Sequence, residues 1–388
     1  MGMKPGAGMK ADAVVVGAGV VGAAVARALA VAGRRVVIIE QGVPGGAVSG
    51  ASLACIGTHM MDEDELPLLK WCCDEWAAFA EAAPDFEYSR CGQLRFLKQE
   101  SERRSADEWI GIETAAGLSP TLLDPEAVRR IEPELTGPIH AATWSPNSAV
   151  VNPFLAVRRL LEAAQAARAT LVSRNPATAL RVVGGRIAGV ETADGPIEAG
   201  IVVIAGGPWT AKLAATAGVQ LPIVPRKAQC LATVSVPRSI RTVVGACKAE
   251  GGVDAGYTQI QQAMSGQILF NTVLEGGVTA AGSPDDIPEV DRAFIRDSIA
   301  TLLFLFPKFA EIDLLRSWVR YEAVTPDDRF LTGPAGPDGL FVAAGDGGTG
   351  FVRSLGMARI IADLVAGRES PFRRDLYDPA RFDRRAAA

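Results

Sequence analysis

Histidine is almost absent from the 388 residues, with His59 and His140 the only two. The six cysteines (Cys55, Cys72, Cys73, Cys91, Cys230 and Cys247) contain no C-x-x-C pair. Zinc sites draw on clustered Cys and His, and iron–sulfur clusters need closely spaced thiolates, so no metal centre is expected. Scattered thiols in a chain this long suit the buried cysteines of a cytoplasmic protein better than a disulfide framework. Positive charge is not in surplus either: 39 Lys and Arg stand against 44 Asp and Glu, a formal charge of −5. Nucleic acid is therefore not an expected partner. No cationic segment precedes a cleavage site, which argues against a targeting peptide. Ala13 to Ala32 holds 20 residues with Arg27 as its single charge and has the composition of a membrane span. Gly17, Gly19 and Gly22 inside it, and a second apolar run just after it, make a buried strand–turn–helix the better reading, with no membrane span and a cytoplasmic location.

What is present is apolar bulk. Hydrophobic residues make up 48% and charged residues 21%, enough for a sizeable core and, at this length, two or three folding units. Ala13–Val16 is a short apolar run suited to a central parallel strand. It leads into Gly17-Ala18-Gly19-Val20-Val21-Gly22, an alanine-rich helix ending near Gly33, and the strand Val36–Ile39 closed by Glu40. That is a βαβ unit in about 30 residues.

Further along, helices are predicted over Asp64–Ala83, Asp124–Ile131 and from Asn152-Pro153 to about Arg168. Strands are predicted over Thr170–Ser173, Ala179–Val183, Arg186–Thr192 and Ile201–Ile204, with Gly184-Gly185 and Asp194-Gly195 as turns. Pro225–Ala281 reads as strand-rich, Pro288–Phe306 as a helix, and Trp318–Val324 and Phe341–Ala344 as strands. The glycine-rich turn at 345–350 opens a last helix that Gly367 stops. The fold class is thus α/β, a Rossmann-type domain built from distant segments with an inserted α+β domain carrying an antiparallel sheet. The expected boundaries are 11–50, 141–224 and 326–370 for the nucleotide domain, 51–140 and 225–325 for the substrate domain, and 371–388 for a tail.

The G-x-G-x-x-G run follows a strand, opens a helix and is followed 18 residues after Gly22 by Glu40 at the end of the next strand. Glycines let a backbone approach a pyrophosphate, the helix N-terminus supplies N–H groups, and the carboxylate can accept ribose hydroxyls. An acid at that place disfavours a 2′-phosphate, so NADP is not expected.

The chain resembles the D-amino-acid oxidase family of flavoproteins, in its glycine oxidase, sarcosine oxidase and opine oxidase branch. Four ordered motifs carry the resemblance over about residues 11 to 370: the fingerprint with Glu40, Ser49-Gly50-Ala51-Ser52-Leu53-Ala54-Cys55-Ile56-Gly57, Val202-Val203-Ile204-Ala205-Gly206-Gly207-Pro208-Trp209, and Leu340 to Phe351. It implies an FAD site with Gly17, Gly19 and Gly22 at the pyrophosphate, flanked by Val20 and Val21. Glu40 and Gln41 would meet the adenosine ribose, and Ser49, Ala51 and Ser52 the phosphates and ribityl chain. Ala177 would meet adenine through its backbone, Ala205, Gly206 and Trp209 would flank the dinucleotide, and Gly345, Asp346, Gly347, Gly348, Thr349, Gly350 and Phe351 would face the isoalloxazine. A glycine-rich turn at a helix N-terminus also suits an anion gathering at flavin N1 and O2. Arg320 stands where covalent relatives place their flavin-bearing cysteine, ahead of Thr325-Pro326-Asp327, so a non-covalent flavin is implied.

The resemblance further implies hydride transfer from a C–H beside an amine to flavin N5, giving an imine from a small amine, an amino acid or a derivative. The expected carboxylate clamp is missing: Glu322 aligns at its first position, with Arg320 and Tyr321 one slip away, and Gly348 or Val352 at its second. Either Glu322 faces the substrate and favours a cationic group, or Tyr321 does; Arg353 and Arg90 are other anchors. Tyr257, Gln259 and Gln261 share one strand face by period two and form a polar wall. His59 is a candidate proton acceptor, and Lys227 and Lys248 are candidates for a lysine promoting reaction with oxygen. The electron acceptor is oxygen, a quinone or a protein, and relatives that work with a second flavoprotein and an iron–sulfur subunit leave a heteromeric assembly open. Two alternatives compete: CH–OH oxidation of a hydroxy acid or polyol phosphate, and a flavin-binding subunit with little activity alone.

Overall fold

The computed structural model describes residues 8–247, 257–273 and 282–382. Two sheets dominate. The first has six strands in the order Thr170–Ser173, Val36–Glu40, Ala13–Val16, Ile201–Ile204, Leu340–Ala344 and Leu331–Pro334. The first five run parallel, and the last is antiparallel to its neighbour. Ala13–Val16 and Ile201–Ile204 sit in the middle almost wholly buried, as continuous β-branched runs covered on both faces should. Strands far apart in sequence thus lie side by side, so the glycine turns after Val16 and Ala344 open at the same end of one sheet.

On one face the helix Val20–Val31 packs against the helices Pro153–Ala166 and Gly350–Val365, and Leu66–Ala82 covers the last of these. Small residues make this close layer: Ala23, Ala24, Ala26 and Ala30 are buried in the same core as Trp76, Phe351 and Met357. The other face carries the four-stranded sheet of Met9–Lys10, Ile197–Glu198, Arg186–Thr192 and Ala177–Val183.

The second sheet has eight strands: Leu314–Val324, Val224–Ser235, Gln267–Val273, Tyr257–Gln262, Val243–Ala246, Gln93–Leu97, Ala141–Ser145 and Thr121–Leu123. All neighbours are antiparallel except Val243–Ala246 with Gln93–Leu97. One face buries an aliphatic and phenylalanine core against the helix Arg292–Leu305, and the other, more polar face is the floor of a large cavity.

Three expectations shift. Ala141–Ser145 pairs with Gln93–Leu97, so the return to the first sheet comes after it and not at residue 141. The helix expected from Pro288 begins at Arg292, because the Asp291 carboxylate accepts from Ala293 and Phe294 N–H and caps it there. A helix absent from the sequence reading, Arg103–Ala115, brings Glu113 beneath His59. Among the described residues no helix is long and apolar enough to cross a membrane, and no cluster of His, Cys, Asp and Glu could hold a metal ion.

Candidate active site

The turn after Ala13–Val16 depends on glycine at two points. Gly17 has φ +106°, and a Cβ there would stand 2.4 Å from the Ala205 carbonyl oxygen. A Cβ on Gly22 would lie 1.9 Å from the Gly17 carbonyl oxygen, so Gly22 lets the helix sit down on the turn. Gly22 is therefore a packing position, not a cavity wall as expected. Glu40 ties the two strand ends together: one carboxylate oxygen accepts from Ala18 N–H at 2.9 Å and the other from Gly42 N–H at 2.8 Å. Ser49 Oγ accepts from Val20 N–H at 2.9 Å, which brings the 49–57 segment to the helix N-terminus.

These residues line a cavity of about 1440 Å³ that runs between the two sheets. Its wall includes Gly17, Gly19, Val20, Val21, Glu40 and Gln41 at one end, then Ser49, Ala51, Ser52, Ala177, Ala205, Gly206 and Trp209. Asp346, Gly347, Gly348, Thr349, Gly350 and Phe351 close it from the last helix. Gly345 does not reach it; at φ +77° it makes the turn out of the strand beside Thr325. The first N–H groups of the helix Gly350–Val365 lack intrahelical acceptors, which gives this end of the cavity a positive dipole. Burial pushes the Asp346 carboxyl up to about 6.

The floor resolves the choice between Glu322 and Tyr321. Glu322 and Arg320 line the cavity, and Tyr321 points to the opposite side of the strand. Glu322 Oε1 accepts from Arg226 Nε at 2.7 Å, across the register pair Arg226 and Glu322. Its Oε2 accepts from no described side chain and stands 3.3 Å from where a Cβ on Gly348 would be. A larger residue at 348 would collide with it, so the acid and the glycine go together. Burial raises the Glu322 carboxyl above its ordinary range, partly offset by Arg226. Beside it the floor presents Tyr257, Gln259, Asn271 and Cys230.

Several other expectations fail on geometry. Gln261 is buried off the wall, its Nε2 donating to the Leu53 carbonyl at 2.6 Å, and Gln259 lines the cavity in its place. His59 touches the cavity but has both ring nitrogens engaged, Nδ1 with Glu113 at 2.8 Å and Nε2 with Thr143 Oγ1 at 2.8 Å. Burial holds the imidazole below its usual range, hence neutral. A neutral ring beside a carboxylate donates from Nδ1 and accepts the threonine hydroxyl at Nε2, which leaves no lone pair for a substrate proton. Arg90 lies outside, on the Pro146 carbonyl and Asn147. Arg353 does line the cavity, but it is buried, with Nη2 paired to Glu65 and Nη1 donating to the Asp328 and Asp346 carbonyls. Lys227 is not on the wall, and Lys248 lies outside the described residues. Sequence reasoning missed Arg226 and Arg95. A charged residue interrupting the apolar run Gln93-Leu94-Arg95-Phe96-Leu97 was the available signal for the second.

The cavity joins the fingerprint, the Ala177 strand and the last-helix glycines in one continuous wall, which fits an extended dinucleotide. Comparisons with known proteins agree. The chain is 28% identical to a glycine oxidase of Pseudomonas aeruginosa over 96% of this chain and 98% of that one. It is 23% identical to a bifunctional ThiO/ThiG protein of Trichormus variabilis and covers 98% of its own length but 56% of that protein, so it spans about half of such relatives. Among solved structures, an L-proline dehydrogenase from P. horikoshii superposes with a TM-score of 0.89 at 27% identity, over 97% of this chain and 98% of that one. The family model described as DAO, FAD dependent oxidoreductase, matches residues 12–364. The chain therefore belongs to the DAO family of FAD-dependent oxidoreductases, and FAD is its cofactor.

Proposed function

We propose that this chain oxidises the CH–NH bond of a small amine, amino acid or derivative to an imine, which water then hydrolyses to a carbonyl. FAD, when bound, accepts the hydride that leaves the carbon next to nitrogen. The observation that carries the reading is Glu322, with one oxygen fixed by Arg226 and the other open to the cavity over Gly348. An open carboxylate oxygen accepts an amine N–H and takes the proton from an ammonium group, and only the neutral amine has the lone pair that expels hydride. Tyr257, Gln259 and Asn271 add hydrogen-bonding groups that orient the substrate. Similarity to a glycine oxidase along almost the whole of both chains supports the amine class.

His59, the base that CH–OH oxidation would have used, has both ring nitrogens engaged, so that chemistry too would have to rely on Glu322, and the choice of substrate separates the two readings. We read the flavin as non-covalent, because Arg320, and not a cysteine, stands on the wall at the position where covalent relatives carry their flavin-bearing thiol. The six-stranded sheet with its helices is read as the dinucleotide half and the eight-stranded sheet as the substrate half.

Anaerobic mixing with a panel of amines, amino acids and hydroxy acids, following flavin bleaching, tests the proposal. Bleaching by at least one amine and by no hydroxy acid is the expected result; the reverse pattern overturns it. Fast recolouring in air then marks an oxidase, and slow recolouring a dehydrogenase that hands electrons to a quinone or a protein.

A further inference from the structure

The turn that opens the last helix makes room for two acids by lacking side chains. A Cβ on Gly348 would stand 3.3 Å from Glu322 Oε2, and a Cβ on Gly350 would run into Asp346 Oδ2. Both carboxylates belong to residues of the cavity wall. Glu322 has been assigned above, but Asp346 has no role yet. Its carboxylate accepts from no other described residue. Arg353 acts on it only through space, because Nη2 is bound to Glu65 and Nη1 donates to the main-chain carbonyls of Asp328 and Asp346. Burial, with the charge of Glu322 added, pushes the Asp346 carboxyl up to about 6, so at neutral pH it is an ionised acid without a partner.

The surrounding wall carries the same sign. The loops 61–65 and 327–329, the strand end at 322, the turn at 346–353 and Arg226 together contribute seven carboxylates and three guanidiniums. All three guanidiniums are already engaged by acids: Arg226 by Glu322 and Asp328, Arg329 by Asp62 and Asp64, and Arg353 by Glu65. Asp62 and Glu63 are exposed as well as wall-lining, so this end opens to solvent through acids, and no described cation contacts Glu63. Arg320, which no described carboxylate contacts, lies one pleat along the strand from Glu322 toward Trp318. Trp318 Nε1 donates to the Ala51 carbonyl, which puts Arg320 on the side of the 49–57 segment and not of the last helix.

An enclosed wall with unpaired carboxylates repels a carboxylate and is completed by a cation. Resting on the amine reading of Glu322, we propose that Asp346 holds a second ammonium group of the substrate, so that the substrate is a di- or polyamine with no carboxylate beside the oxidised bond. Glu322 takes the proton of the nitrogen that is oxidised, and the second nitrogen stays protonated against Asp346. The acids from Asp62 to Asp346 raise the local concentration of such a polycation over that of a zwitterionic amino acid.

The holoenzyme titrated anaerobically with putrescine, cadaverine and spermidine, and with butylamine, pentylamine and 4-aminobutyrate as controls, tests this. The flavin absorbance shift reads binding, and bleaching reads reduction. The tightest of the three polyamines should bind about 10-fold or more tighter than either monoamine, as one added charge-assisted hydrogen bond gives, and 4-aminobutyrate no tighter than butylamine. Asp346→Asn should bring the polyamine preference down to within about 2-fold of unity. Three outcomes overturn the proposal: no spectral response to any polyamine, a preference for 4-aminobutyrate or for the monoamines, and a polyamine preference that survives in Asp346→Asn. If that variant retains no flavin, Asp346→Ser decides by the same criterion. Failure of the amine reading looks different, since the polyamines would leave the flavin oxidised while still shifting its spectrum, and would lose their advantage in Asp346→Asn.

Discussion

At the scale of single residues, two buried acids have opposite assignments. Glu322 has an oxygen open to the cavity, and burial raises its carboxyl. As the proton acceptor it must be ionised, so kcat/KM for an amine should fall as pH drops through its raised pKa. Glu322→Gln should flatten that acid limb and lower kcat/KM by roughly 100-fold; an unchanged pH–rate profile would remove Glu322 from the chemistry. Glu113 is wholly buried and accepts from His59 Nδ1 and from Met60 N–H at 2.7 Å. Glu113→Ala leaves both donors unsatisfied and should cost about 3 kcal/mol or more in denaturant unfolding. His59 was legible in the sequence as a titratable residue near the flavin segment, but its partner was not, since Glu113 lies 54 residues away on an unforeseen helix.

At the scale of elements, the first strand–turn–helix is held by contacts that admit no side chain. Gly22→Ala should destabilise the protein by about 3 kcal/mol and reduce flavin retention on gel filtration, because a Cβ cannot stand 1.9 Å from the Gly17 carbonyl oxygen. The Asn152 side chain caps the helix Pro153–Ala166 through Phe154 and Leu155 N–H. Asn152→Ala should cost about 1 kcal/mol with flavin content unchanged. Both elements could be read from local chemistry, a glycine fingerprint and an Asn-Pro start. The strands Gln93–Leu97 and Ala141–Ser145 could not, since their faces are decided by partners distant in the chain and strand propensity alone is a weak guide. Period two does place Gln261 on the face of Gln259, whose Nε2 donates to its Oε1, but the cover that Leu53 lays over it comes from a segment 208 residues away and could not be read locally.

At the scale of the whole molecule, the cavity is walled by both large sheets, so bound cofactor should couple their stabilities. Removing FAD should lower Tm, and adding it back at 100 times its Kd should restore about 2.7 kcal/mol; an apoprotein that melts at the holoprotein temperature would contradict this. The central strand Ala13–Val16 finds its neighbour Ile201–Ile204 only midway along the chain, and Ile201–Ile204 in turn finds Leu340–Ala344 only near the far end of the polypeptide. On a ribosome adding about 5–20 residues per second, the fingerprint helix therefore waits roughly 15 to 60 s for the strand and helix that complete its site. Throughout that interval the nascent chain presents apolar strand edges with no neighbour, which makes chaperone supply and the timing of vitamin loading, more than final thermodynamic stability, the quantities that decide how much yellow protein a cell recovers.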